Sequence, residues 1–63
     1  MMVRAKDIMP GDVYVTRGRG LVIRRRVLSV LVDPIDGRIE LRCEDFTTPV
    51  LPPDKAVTVE RPS

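Results

Sequence analysis

Hydrophobic and charged residues alternate in two stretches, one in the middle of the chain and one near its end. In residues 38–44 every second residue is apolar, namely Ile39, Leu41 and Cys43, and the residues between them are charged. Residues 56–61 alternate in the same way, with Val57 and Val59 as the apolar positions. Because successive side chains of a strand point to opposite faces, this period predicts two strands that each bury one face.

Turn-forming residues divide the first half of the chain into short segments. Pro10-Gly11-Asp12 precedes a predicted strand at residues 13–16, and Arg17-Gly18-Arg19-Gly20 predicts a flexible turn after it. Residues 33–37 predict a type I turn, with the proline in its second position and the glycine in the left-handed conformation.

Prolines limit what the segment of residues 47–55 can form. It holds three of the six prolines of the chain. Because proline cannot donate a hydrogen bond to a neighbouring strand, we expect only a short edge strand and a turn there. At most one helical turn is expected, near residues 3–8 or at residues 53–55.

The longest apolar segment, residues 21–32, is interrupted by Arg24-Arg25-Arg26. It is too long for one flat strand, and three consecutive charges cannot all face one side of a sheet. We therefore expect a bulge or a sharp bend at the three arginines. The turn that follows leaves two registers open, with Val32 opposite either Arg38 or Ile39.

The register decides which apolar residues of this segment are buried. In one register Leu28 and Val30 join the core while Val27 and Leu31 face outward, and in the other the roles are exchanged. A single small sheet cannot cover both of its faces, so the chain has to curl over itself or a partner has to cover the second face. Val27 and Leu31 are therefore the candidate surface for a partner or for self-association.

The composition favours an all-β fold in one domain. Fourteen of the 63 residues are Val or Ile and none is Gln, and β-branched side chains pack well on a pleated sheet. A chain of this length has room for a single small core. We predict one domain over residues 1–63, a five-stranded small barrel made from a strongly bent antiparallel sheet.

Five short strands joined by tight turns, with a proline turn before the last strand, resemble the SH3-like small β-barrels. Within this pattern Gly11-Asp12-Val13-Tyr14-Val15-Thr16-Arg17-Gly18, followed by Gly20-Leu21-Val22, looks like a KOW motif. Its valines are one position out of phase and its glycines are closely spaced. KOW proteins commonly contact RNA or the transcription and translation machinery, so the resemblance implies a partner of that kind. The opening at residues 10–12 and the ending at 56–62 are also similar to those of small actinobacterial and phage-encoded proteins, which implies an origin and no activity.

Positive charge is concentrated in the first half of the chain. Residues 1–32 carry seven Lys or Arg against two Asp or Glu, whereas residues 33–63 carry four against seven. Five arginines are candidate contacts to phosphate groups: Arg17, Arg19, Arg24, Arg25 and Arg26. They predict a non-catalytic binding module for an anionic partner, with nucleic acid or a nucleoprotein complex as the first hypothesis. The alternative is a solvated rim whose charges keep an edge strand from aggregating.

Two other hypotheses belong to different functional classes. In one, the chain is a small structural or inhibitory protein, phage-encoded, that self-associates or docks on a host protein through its apolar sheet face. In the other, it is an oligomer that sequesters a small nucleotide. The marginal size of the core keeps a homo-oligomer open in both cases.

Residues suited to catalysis or metal binding are scarce. The chain has no histidine and one cysteine, Cys43, so it lacks a Cys–His pair and the usual ligands of a zinc site. No catalytic motif occurs, and we predict no enzymatic activity, cofactor or metal. No apolar stretch approaches the roughly 18 residues that span a bilayer, and the first nine residues lack the apolar region of a secretory signal. We therefore expect a cytoplasmic protein, in the bacterial host cell if it is phage-encoded.

Overall fold

The computed structural model describes residues 1–62, and its secondary structure is almost entirely β. Six strands follow one another along the chain: β1 (Met2–Arg4), β2 (Val13–Gly18), β3 (Leu21–Val32), β4 (Ile39–Cys43), β5 (Val50–Leu51) and β6 (Ala56–Glu60). A single turn of 3-10 helix, Ala5–Asp7, lies between β1 and β2. The all-β prediction is confirmed, and the helical turn falls within residues 3–8 as expected.

The six strands form one antiparallel sheet in the order β1-β6-β2-β3-β4-β5. The long strand β3 is shared, because residues 21–26 pair with β2 and residues 27–32 pair with β4. The short strands β1 and β5 are the two edges, so the sheet is open and the predicted five-stranded barrel is not confirmed. The alternation of residues did not predict β1, whose three residues pair with β6 from the opposite end of the chain.

One face of this sheet curls inward around a single core. The core collects buried side chains from every strand except β1, together with the 3-10 turn and the residue after it: Ala5, Ile8, Tyr14, Val27, Ile39, Leu41, Cys43, Leu51, Val57 and Val59. The alternating apolar residues of β4 and β6 are all among them, as predicted. Burial raises the pKa of the Cys43 thiol, so this side chain acts as a small apolar group of the core.

A β-bulge interrupts the pairing of β3 with β4. Val27 lies opposite Cys43 and Ser29 lies opposite Arg42, which leaves Leu28 without a partner. The bulge predicted at residues 24–26 is therefore wrong, since those three residues pair regularly with β2. The extra residue shifts the phase of β3 by one position.

Because of this shift of phase, Val27 and Val30 both turn toward the core, although a regular strand would place them on opposite faces of the sheet. Val27 is completely buried and Val30 packs against the core from its rim. Neither of the two predicted assignments of this segment is therefore observed. The predicted partner surface is corrected at the same time, because Val27 is not accessible, whereas Leu31 is 43% exposed beside Glu40.

The turn between β3 and β4 has its glycine in the predicted left-handed conformation, and the hydrogen bond that closes it joins the first and fifth residues, whereas a type I turn joins the first and fourth. Gly37 adopts a φ of +75°, and its N–H donates to the carbonyl of Asp33 over 2.9 Å. The Asp33 carboxylate accepts a further hydrogen bond from the N–H of Ile35 over 2.8 Å. Of the two registers left open, the structure has Val32 opposite Ile39.

Candidate nucleic-acid interface

The hairpin of β2 and β3 carries the five arginines that the sequence pointed to. Its strands pair from Val13 with Arg26 to Gly18 with Leu21, and Arg19 and Gly20 connect them with φ values of 51° and 76°. Two consecutive positive φ angles are typical of a tight two-residue hairpin turn. The glycine-rich segment therefore forms a tight connection between two paired strands.

The far half of this hairpin projects beyond the sheet as a two-stranded arm, residues 16–23. Neighbouring strands do not reach it, because β6 pairs with β2 only at residues 13–15 and β4 pairs with β3 only from residue 27 onward. The arm exposes the apolar side chains of Leu21, Val22 and Ile23. Between Asp12 and Asp33 the sequence has five arginines and no carboxylate, so the whole hairpin is cationic.

The structure does not leave all five guanidinium groups free. Three consecutive arginines form ion pairs with carboxylates of the acidic half: Arg24 with Glu60 at 3.1 Å, Arg25 with Asp45 at 3.0 Å and Arg26 with Glu44 at 3.5 Å. The side chain of Arg25 is only 21% exposed and also donates to the hydroxyl of Thr16 over 3.4 Å. Arg25 therefore holds β2 and the turn after β4 together, whereas the other two pairs are exposed.

Three cationic side chains have no carboxylate within 4.0 Å among residues 1–62, namely Arg17, Arg19 and Lys55. Two of them, Arg17 and Lys55, line one cleft of about 340 Å³ between β2 and β6. The cleft opens where the two strands separate beyond Val15 and Thr58, and no carboxylate lines it. It is therefore an electropositive depression next to the arm.

Backbone donors point into the same cleft. The residues of β2 that face β6 alternate along the strand, so Arg17 follows Val13 and Val15 in directing its N–H toward β6. By the same alternation, the N–H of Ala56 points from β6 toward β2. Both N–H groups lie just beyond the last assigned pair of the two strands, Val15 with Thr58.

The sequence missed Lys55, and the reason lies in the strand order. Lys55 is 38 residues from Arg17, and only the pairing of β6 with β2 brings them to one cleft. Its position directly before a strongly alternating strand was the only local signal. This signal becomes useful only when the pairing of β2 with β6 is known, and the sequence did not predict that pairing.

The two aromatic side chains have opposite environments. Tyr14 is buried in the core, and burial raises the pKa of its hydroxyl, so it offers no face to a base. Phe46 is 95% exposed on the turn between β4 and β5. The hairpin itself therefore lacks the exposed stacking residues of a typical single-strand binder.

A buried ion pair closes the base of the hairpin and was not predicted. The carboxylate of Asp12 is 2% exposed and accepts two hydrogen bonds of 2.9 Å from the guanidinium of Arg61. It accepts a third from the N–H of Met9, also over 2.9 Å. The pair ties the end of β6 to the start of β2 and leaves no charge free for a ligand.

Other kinds of site are not apparent in the part of the chain that the structure covers. Among residues 1–62, no group of three His, Cys, Asp or Glu side chains is placed to hold a metal ion. None of the helical structure in those residues is long and apolar enough to cross a membrane. No known protein family matches the sequence, and neither curated proteins nor solved structures gave a match.

Proposed function

We propose that this protein is a non-catalytic module that binds nucleic acid through the β2–β3 hairpin. The observation that carries the proposal is the cleft between β2 and β6, which no carboxylate lines and in which two cations without a carboxylate partner among residues 1–62, Arg17 and Lys55, come together. Nucleic-acid backbones present phosphate groups in series, and such groups are bound by guanidinium, ammonium and backbone N–H donors.

The arm extends this site beyond the cleft. Arg19 lies at the hairpin turn and has no carboxylate nearby among residues 1–62. A nucleic-acid strand that leaves the cleft along the arm therefore meets a second free guanidinium. Glycines on either side of Arg19 allow a phosphate chain to approach the backbone closely. The site therefore holds at least two neighbouring phosphates.

The paired arginines contribute in a second way. The ion pairs of Arg24 and Arg26 are exposed, and such pairs contribute little to stability. A phosphate that approaches the hairpin can replace the carboxylate of either pair at small cost. Arg25 is held in a less exposed pair and keeps its structural role.

The resemblance of residues 11–22 to a KOW motif supports the choice of nucleic acid over other anions. Those residues include all of β2, the hairpin turn and the first two residues of β3, and so they contain most of the arm described above.

A salt titration tests the proposal. Fluorescence anisotropy of a labelled 20-nucleotide single strand and of the matching duplex is measured at 50 and 200 mM NaCl. With about three phosphates neutralised, the affinity for the single strand is expected to fall roughly 20-fold over this range. Binding that is absent, or that does not change with salt, contradicts the proposal.

Charge-matched variants localise the effect. R17S/R19S is expected to weaken binding at least tenfold, because it removes both free guanidinium groups of the arm. R38S/R42S removes the same charge from two arginines that are paired with Asp36 and Glu40, and it is expected to change affinity less than twofold. An equal loss in both variants would show that net charge alone attracts the ligand. If a mononucleotide competes for the wild-type protein at micromolar concentration, the ligand is a free nucleotide.

A further inference from the structure

The arm exposes apolar side chains on both of its faces. Every residue from 17 to 23 is exposed. Leu21 and Ile23 point to one face of this two-stranded ribbon and Val22 points to the other, because successive side chains of a strand alternate. Gly18 lies opposite Leu21 and has no side chain to cover it, so this leucine is 65% exposed. A ribbon that is uncovered on both faces fits into a concave partner and would be covered on one face only by a flat one.

The charges of the arm limit which concave partner can receive it. Arg17 and Arg19 have no carboxylate within 4.0 Å among residues 1–62, and the sequence has no carboxylate between Asp12 and Asp33. The carboxylates that meet the near half of the hairpin are already held in ion pairs by the three arginines there. A partner that encloses the arm therefore has anionic walls.

The arm has the dimensions of the major groove of B-form DNA. Two paired strands lie about 4.8 Å apart, and the major groove, about 12 Å wide, accepts such a ribbon with its side chains, whereas the minor groove is only about 6 Å wide. Residues 16–18 extend β2 about 10 Å beyond its last pair with β6, and the groove is about 8.5 Å deep. The turn at Arg19 can therefore reach the edges of the bases.

We propose that the arm enters the major groove of duplex DNA, with Arg19 on the edge of a guanine and Leu21 against the methyl group of a thymine. The inference rests on the proposed function and adds the class of nucleic acid. In this groove guanine presents two acceptors, N7 and O6, that one guanidinium binds together, and thymine presents its apolar methyl group. Arg17 and Lys55, in the cleft at the base of the arm, hold phosphates of the groove wall.

Other nucleic acids offer fewer contacts to the arm. Single strands are bound by stacking their bases on aromatic side chains, and residues 16–23 include no aromatic residue. Duplex RNA has a deep and narrow major groove that side chains cannot read. Both of these ligands still meet the free cations of the arm and the cleft, so we expect them to bind through charge alone and more weakly.

A comparison of three ligands tests the proposal. Fluorescence anisotropy at 50 mM NaCl is measured with a DNA duplex of 16 base pairs, with one of its strands and with the RNA duplex of the same sequence. The DNA duplex is expected to bind at least roughly tenfold more tightly than either of the others. If the single strand or the RNA duplex binds as tightly as the DNA duplex, insertion into the major groove is wrong and the proposed function stands. If none of the three binds, both are wrong.

Modified bases locate the contacts within the duplex. Replacing guanine with 7-deazaguanine removes the N7 acceptor, and replacing thymine with uracil removes the methyl group. Each change is expected to weaken binding of the wild-type protein at least about threefold, whereas R19S is expected to be insensitive to the first and L21S to the second. Hypoxanthine in place of guanine removes only the amino group in the minor groove and is expected to leave the affinity unchanged. A wild-type protein that responds to hypoxanthine and to neither major-groove change overturns the proposal.

The matched control variants are R38S and I35S. Arg38 is an exposed arginine paired with Asp36, and Ile35 is 94% exposed in the turn between β3 and β4, outside the arm. Both variants are expected to keep the wild-type affinity within twofold and the wild-type response to both modified bases. Thermal unfolding checks that each variant folds. If I35S loses as much affinity as L21S, the apolar contact is not specific to the arm and the proposal is wrong.

Discussion

Asp12 is the one charged residue that is buried among residues 1–62. Its three hydrogen bonds join the neighbouring loop at Met9 and the start of β2 to Arg61, which follows β6 at the other end of the chain. An ionised carboxylate can be buried only where such donors replace its water, and here two of the three come from one guanidinium. At the residue scale, this pair fixes the base of the hairpin that carries the proposed site.

Removal of this carboxylate is expected to be costly. Asp12→Ala leaves the N–H of Met9 without its side-chain acceptor and the half-buried guanidinium of Arg61 with only the carbonyl of Asp7, so the free energy of unfolding is expected to fall by about 2–3 kcal/mol. Urea denaturation measures the change. The matched control is D54A, which removes exposed pairs with Arg4 and Lys6 and is expected to cost less than about 1 kcal/mol. Equal losses in the two variants would contradict the structural role of Asp12.

The same pair makes stability depend on pH in the acid range. The hydrogen bonds from Arg61 lower the pKa of Asp12 below its usual value of 3.8, although burial acts in the opposite direction. The stabilisation is therefore fully present well above pH 3.8 and is lost as the pH falls through the lower pKa of the folded state. D12N is expected to show a flatter fall of unfolding free energy between pH 5 and pH 2. Some slope remains in D12N, because the hydrogen bond from Thr47 lowers the pKa of Asp45 as well.

At the scale of single elements, the turn between β3 and β4 depends on one glycine. A Cβ on Gly37 would meet only the Cγ of Pro53 at 3.8 Å, an ordinary contact, so the cost of Gly37→Ala comes from its φ of +75°. We expect a loss of about 1 kcal/mol in unfolding free energy. G18A is the control, because Gly18 has no positive φ and open space around it, and it is expected to be neutral. A neutral G37A would show that the turn has another conformation.

The two-stranded arm is expected to be the least stable part of the sheet. Its residues 16–23 have strands on neither side, and an isolated hairpin is marginally stable in water. The backbone amides of Thr16 and Ile23 are therefore expected to exchange with solvent at least tenfold faster than those of Leu41 and Val59. Native-state hydrogen exchange by NMR measures these rates. Equal protection of the arm and the core would contradict a structure in which the arm has no neighbouring strand on either side.

The sequence predicted the elements whose signals are local. β4 and β6 follow from alternation over a few residues, and the turn at 33–37 follows from its proline and glycine. The strand β1 and the bulge at Leu28 depend instead on pairing between distant segments. The three residues of β1 do not indicate that β6 is their partner. The apolar segment of β3 likewise does not indicate where its pairing with β4 shifts by one residue.

The same limit applies to the candidate site. The hairpin and its arginines could be found from glycines and charge, but the ion pairs of Arg24, Arg25 and Arg26 join them to residues between 18 and 36 positions away. The sequence shows that the acidic residues exist in the second half. Only the folded sheet shows which arginines they neutralise and that Arg17, Arg19 and Lys55 remain.

At the scale of the whole molecule, folding redistributes the charge asymmetry of the sequence. Carboxylates of the second half pair with arginines on the near half of the hairpin, so the free positive charge is concentrated at the arm and in the cleft beside it. A protein with a net charge of only +2 thereby presents one localised cationic surface.

An NMR titration of the isotope-labelled protein with a single-stranded DNA dodecamer, at 50 mM salt, tests the nucleic-acid interface most directly. The largest changes in chemical shift are expected at the amides of Arg17, Arg19 and Ala56 and at the side chain of Lys55, and 200 mM salt should reduce them. Shifts that are largest at the turn of residues 33–37 or at Phe46, or no shifts at all, would contradict the assignment of the arm and its cleft as the binding surface.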